Sequence, residues 1–250
     1  MQKQVIELRT VTLRDAAAEK AFDKYADEAL IPALNRQGIT PVGALAFAPV
    51  QPPQGTAAAP TPPAPTDGVP PKVLLVLPAS DATALLSIND RLDADAEYRK
   101  SAAEYLKTPA EQPLLERVRS ELLISFEAWP KVVVPKQTAA GRKRLFELRT
   151  YESPTEELGR LKVEMFNSGE VSIFRACEIQ PVFMGRALIG DKQPNLTYMT
   201  VHDDNDARVA AWKRFAENED WKKLREVEKY KGTVSKIHKT DWLPKPYSQL

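Results

Sequence analysis

Leu145-Phe146-Glu147-Leu148-Arg149-Thr150 repeats, almost letter for letter, Val5-Ile6-Glu7-Leu8-Arg9-Thr10. A shift of about 140 positions relates the two, and without a gap it also lays Leu34 on Phe174, Ile39 on Ile179 and Pro41-Val42 on Pro181-Val182. Self-similarity at a fixed interval means that one structural unit occurs twice. The chain is a doubled module.

Each copy opens on a strand. Within residues 5–10 apolar and polar positions alternate, with Ile6 and Leu8 on one face and Glu7 and Arg9 on the other. Asp15 then caps a helix whose Ala18, Phe22, Tyr25, Ala29 and Leu30 recur down one stripe as far as Gly38. Pro32 within that stripe is expected to kink or break the helix, since it lacks the donor its turn requires. Strands follow at 42–50 and 72–77, then a helix-rich stretch at 81–119 interrupted by Pro109 and Pro113, and a strand at 121–129. The second half gives strand 145–151, helix 156–177, strands 181–189 and 196–202, helix 206–230 and strand 233–242. Each half therefore reads strand, helix, strand, strand, helix, strand, the ferredoxin-like order, in which both helices cover one face of a four-stranded antiparallel sheet. The uncovered faces need a partner, and the tethered second module supplies it. The expected fold is α+β: tandem ferredoxin-like repeats at 1–135 and 145–250, joined by a linker at 136–144 and closed into one barrel of antiparallel sheets.

Residues 49–71 change abruptly to proline, alanine and threonine and cannot recover the entropy of ordering themselves. They read as a tolerated hairpin insert, with a proline-recognising partner as the other reading. The corresponding place in the second half holds only residues 190–195, so the module does not need the insert.

Composition excludes several function classes. Thirty-five basic and 34 acidic residues leave a formal charge of +1, so the basic field that drives nucleic-acid binding is missing. Arg142-Lys143-Arg144 is a short solvated cluster before a strand. One cysteine, Cys177, permits no internal disulfide and reads as a small buried apolar residue. No membrane span is expected, and the start suits either a cytoplasmic protein or an exported one with a removed leader. There is no glycine-rich phosphate loop, no G-x-S-x-G elbow and no H-E-x-x-H. No catalytic residue, metal or cofactor is expected. The only histidines, His202 and His238, fall on different strands with the module's first strand between them, which gives no ligand set for a metal.

Phe146-Glu147-Leu148-Arg149-Thr150-Tyr151 opening a module, a helix carrying Trp212 and Trp221, and the closing Lys239-Thr240-Asp241-Trp242-Leu243-Pro244 together resemble the NIPSNAP family. The resemblance covers the second half and, more weakly, the first, where Val11 stands in place of Tyr151. It implies a dimeric α/β barrel, here made in one chain, within a superfamily that includes small monooxygenases, haem-handling enzymes and EthD-like proteins. It implies no defined reaction. The role read from it is the binding of a small molecule or a protein partner. The alternative is a monooxygenase or haem-handling enzyme using the cavity between the sheets, with Arg149, Tyr198 or His202 positioning the substrate. A third reading makes residues 51–70 a protein-interaction loop, and further pairing into a homo-oligomer stays open.

If Ile6, Leu8, Phe146 and Leu148 face the helices, alternation turns Glu7, Arg9, Glu147 and Arg149 into the space between the sheets. There the two acid–base pairs either neutralise one another and set the barrel's register, or present their arginines to an anionic ligand. Tyr151, Arg186, Tyr198 and His202 complete the expected ligand-binding set, and Trp212, Phe215, Trp221 and Leu224 read as core.

Overall fold

The two copies of the repeated hexapeptide become the central strands of two sheets. The computed structural model describes residues 2–48 and 69–250; most of the proline-rich insert, 49–68, lies outside the described residues. The first half supplies β1 (Val5–Leu13), β2 (Gly43–Ala48), β3 (Lys72–Ala79) and β4 (Leu115–Ser125). The second supplies β5 (Leu145–Glu152), β6 (Gln180–Ile189), β7 (Asn195–His202) and β8 (Lys236–Pro244). Every pairing is antiparallel. The first sheet runs β4-β1-β3-β2 and the second β8-β5-β7-β6, the order expected of the ferredoxin-like unit. Two seams join them: β2 pairs β8, with Phe47 opposite Trp242, and β4 pairs β6, with Leu123 opposite Ala187. All eight strands thus close into one barrel without a free edge.

The helices keep the repeat to the residue. Ala16–Tyr25, a π-helical turn at Ala26–Leu30 and Ile31–Arg36 in the first half recur as Glu156–Met165, Phe166–Glu170 and Val171–Ala176. Their N-caps also correspond, for Asp15 accepts from the Ala18 N–H and Thr155 from that of Leu158. Pro32 does not break its helix. It sits at the start of Ile31–Arg36, just after the π-helical turn, where a missing donor is tolerated. The second half carries the same turn with Ser172 at the matching position, so the turn belongs to the module and not to the proline. The expected helix at 81–119 is shorter. It breaks into four pieces that end at Leu106, ahead of Pro109 and Pro113, and Leu115 and Val118 belong to a strand that starts earlier than expected.

Period two in β1 and β5 sorts side chains to opposite faces, and the assignment is the reverse of the one expected. Ile6, Leu8, Phe146 and Leu148 point into the barrel, where they pack with Leu45, Leu74, Val76, Leu123, Phe183 and Val201. Glu7, Arg9, Glu147 and Arg149 point outward, beneath the helices. Closing the barrel buries both faces of a central strand, so polarity alone does not say which face is the interior. Leucine-sized groups fill the narrow space, and the longer arginines reach the roomier layer under the helices. At one end the interior is sealed by Val132, Val182 and the fully buried Leu250.

Gly185 lies where β4 and β6 approach closely, opposite Ser125. A Cβ there would stand 2.9 Å from Leu123 Cβ and 3.2 Å from the Ile124 carbonyl oxygen. Gly185→Val should cost about 1–3 kcal/mol in chemical denaturation through overpacking. An unchanged unfolding midpoint would mean that this seam is not closed as described.

Candidate functional site

Two polar regions flank the sheet of the second half, one on each face. The outer one lies between the sheet and its helices. Trp212 Nε1 donates to Glu147 Oε2 at 2.6 Å, Arg149 donates to Glu147 Oε1 at 3.1 Å, and the Arg149 guanidinium stacks 3.5 Å above the Trp212 ring. The Tyr151 and Tyr198 hydroxyls meet at 2.7 Å, and Arg149 reaches the former at 3.4 Å. Nearby, Lys162 pairs with Glu170 at 2.8 Å and Arg208 with Asp241 at 2.6 Å. His202 Nε2 lies 3.0 Å from Thr200 Oγ1, with its ring on the same face. All of these charged side chains are buried.

The first half is an internal comparison for this network. Its Glu7–Arg9 pair is kept, at 2.8 Å. At the positions matching Tyr151, Lys162 and Glu170, however, stand Val11, Phe22 and Leu30. Opposite Arg9 lies Leu75, where Tyr198 lies opposite Arg149. One scaffold thus carries a largely apolar core, with one ion pair and the Tyr25–Tyr98 hydroxyl contact, in one copy and a core with three buried ion pairs in the other.

Charges in that second core are matched one to one: Glu147 with Arg149, Glu170 with Lys162, Asp241 with Arg208. Burial alone opposes ionisation, raising the Glu170 and Asp241 carboxyls, and the paired cations oppose it. Burial also raises the Tyr151 and Tyr198 hydroxyls. Among the described residues, only Arg149 Nε within this network is buried without a hydrogen-bond partner. The network closes on itself and needs no further ion for neutrality.

The other face looks into the barrel, and here the space is open. A cavity of about 340 Å³ occupies the end opposite Leu250. Its base is apolar, formed by Leu8, Leu74, Leu148, Phe47 and Trp242. Above these stand hydroxyls of Thr10, Thr12, Thr150, Thr197 and Thr240, and the rim carries Lys72, Arg117, Arg119, Lys192 and His238, with the buried Glu121 deeper, level with Leu8. Arg117 and Arg119 are exposed, so the rim meets solvent.

Of the eight residues expected to bind a ligand, Glu147, Arg149, Tyr151, Tyr198 and His202 come together, but under the helices. Glu7 and Arg9 sit under the helices of the other half, and Arg186 is exposed on β6 and lines no part of the cavity. β5 does separate the two histidines, which the sheet places on opposite faces, His238 inward and His202 outward. No group of three metal-ligating side chains occurs among the described residues. Sequence reading missed the cavity wall. Its signal, the alternation Arg117-x-Arg119-x-Glu121, lay inside a stretch read largely as helix.

The NIPSNAP family model matches residues 146–249. No curated protein matches the chain. Among solved structures, a Fusobacterium nucleatum protein named "putative monooxygenase" aligns with a TM-score of 0.56 at 9% identity, over 97% of this chain and 92% of its own. A Lactobacillus acidophilus protein of the same description gives 0.56 at 8% identity, over 97% and 94%. An "anthrone oxidase-like protein" gives 0.51 at 10% identity, over 97% and 92%. At such identities the likeness is one of fold, and it extends over both halves. No described helix is long and apolar enough to cross a membrane.

Burial holds His202 neutral, lowering its pKa from 6.5 to about 4 against the opposing field of Glu147. As pH falls below 6.5 the unfolded chain takes up a proton at this residue, whereas the folded chain does so only near pH 4. Stability should therefore decline through that window, by roughly 3 kcal/mol from this group. Denaturant titrations of wild type and His202→Asn across pH 7 to 4 should show a steeper loss for wild type. Parallel curves would mean that His202 is not buried in its neutral form.

Proposed function

We propose that this protein, whose residues 146–249 match the NIPSNAP family model, binds a small organic molecule in the space between its two sheets. The observation that carries the reading is the graded wall of the cavity: apolar base, hydroxyl waist, charged rim. Binding sites of this size are mostly apolar surfaces with a few polar groups that orient the ligand, and an eight-stranded barrel has room for one such molecule. The buried network under the helices then acts as a register device. Its charges are buried and matched one to one. Its ion pair from Arg208 to Asp241 and its hydrogen bond from Trp212 to Glu147 join a helix of the second half to its sheet.

A second reading, an oxygen-using enzyme, draws on the names of the structural neighbours and on the Arg149–Tyr151–Tyr198 chain that the first half lacks. On that reading the chemistry sits under the helices, with the arginine and tyrosines holding the substrate. In its haem-handling form, His202 has to leave Thr200 and reach the surface before it ligates iron, and a haem titration without a Soret band removes that form.

Two substitutions separate the readings. Leu148→Trp fills the base of the cavity and should abolish the fluorescence of N-phenyl-1-naphthylamine, a neutral apolar probe, in the purified protein. Retained emission would place the probe elsewhere and remove the support for a binding cavity. Arg149→Met leaves Glu147 buried beside Trp212 and should cost about 3–5 kcal/mol of stability, with probe affinity unchanged under conditions where the variant stays folded. Lost probe binding in that folded variant would move the site under the helices.

A further inference from the structure

We infer that the molecule taken up between the sheets is an amphiphilic organic anion, a carboxylate with a hydrocarbon or aromatic body. This rests on the cavity being a small-molecule site, and it adds the ligand's charge and orientation.

Thr12 on β1 lies directly opposite Lys72 on β3 and directly opposite Arg117 on β4. All three line the cavity. Cross-strand neighbours on one face of a sheet lie about 5 Å apart at Cβ, so an ammonium, a hydroxyl and a guanidinium form one row across three strands at the mouth. The next row down is Leu74, Thr10 and Arg119, and the one below contains Leu8 and Glu121. Polarity therefore falls with depth on this wall, apart from Glu121.

The two lower cations at the rim are already engaged. Arg119 pairs with Glu121 at 2.7 Å and with Asp191 at 2.8 Å, and Lys192 also binds Asp191, at 2.8 Å. His238 faces Glu152. Among the described residues, Lys72 and Arg117 have no carboxylate partner, and Lys72 Nζ stands 5.6 Å from the centre of the Phe47 ring. Like charges flanking one hydroxyl are unfavourable when empty and favourable around an anion, and a planar guanidinium matches a carboxylate in two-pronged geometry. The body of the ligand then descends past the threonines onto Leu74, Leu148 and Trp242, the surfaces that gain from losing water. A cation of the same shape meets repulsion at the mouth, and a neutral one forgoes the headgroup contact.

The experiment is displacement of N-phenyl-1-naphthylamine by three ligands with the same ten-carbon tail: decanoate, decanol and decylammonium. Decanoate should displace the probe at concentrations about tenfold lower than decanol, equivalent to about 1.4 kcal/mol, with decylammonium weakest. Lys72→Gln/Arg117→Gln, at an exposed or half-exposed rim, should bring decanoate to within about twofold of decanol while leaving the probe and decanol unchanged; circular dichroism on the same sample checks the fold. Equal potency of decanoate and decanol in the wild type would overturn the inference and leave the cavity reading standing. So would a preference for decanoate that survives the double substitution in a folded protein. Failure of the neutral probe to bind the wild type would overturn both.

Discussion

A four-stranded sheet with helices on one face leaves its other face bare, and every other feature of this molecule follows from how that face is covered. Ile6, Leu8 and Leu74 from one sheet meet Phe146, Phe183 and Val201 from the other, an apolar contact that is favourable only when water is excluded from both sides. The β2–β8 and β4–β6 seams provide that exclusion and leave no open sheet edge. Tethering the two sheets in one chain makes their meeting intramolecular, so it does not depend on protein concentration.

Closure also decides where space remains. Leu250, Phe146, Phe183 and Val182, all fully buried, fill one end of the interior. Toward the other end the inward positions change to Thr10, Thr12, Thr150 and Thr197, and then to long cations whose ends lie in solvent. Threonine and extended arginine leave the centre of the barrel open, whereas leucine at the same positions would close it. The cavity therefore comes from side-chain choice at a few alternating positions, and the backbone repeat alone does not create it. The same economy holds under the helices, where a common scaffold carries Val11, Phe22 and Leu30 in one half and Tyr151, Lys162 and Glu170 in the other.

The doubled strand Val5–Thr10 and Leu145–Thr150 was enough to read the tandem ferredoxin-like architecture, because a repeat constrains topology independently of propensity. The alternation within it also identified which residues share a face. It did not identify which face is inside, since both are buried once the barrel closes, and Glu147 and Arg149 were accordingly placed in the wrong layer. Register sets Tyr151, Tyr198 and His202 in the same layer as Glu147 and Arg149, away from the cavity between the sheets. The cavity rim was illegible for a different reason. Leu115, Val118 and their neighbours fit a helical stripe as well as a strand, and only the ladder to β1 decides between the two. Pro32 leaves the helix intact because a π-helical turn, invisible in composition, sits just ahead of it.

Amide hydrogen exchange at the β2–β8 seam tests the central claim, that the two halves form one closed barrel, more directly than any ligand does. The account predicts that the seam's paired amides, from Leu45 to Ala48 and from Asp241 to Leu243, open with the same free energy as the central amides of β1 and β5, because the seam cannot part without exposing the shared interior. Seam amides that exchange at the rate of exposed peptide while β1 and β5 stay protected would contradict it, and would mean two separate half-barrels.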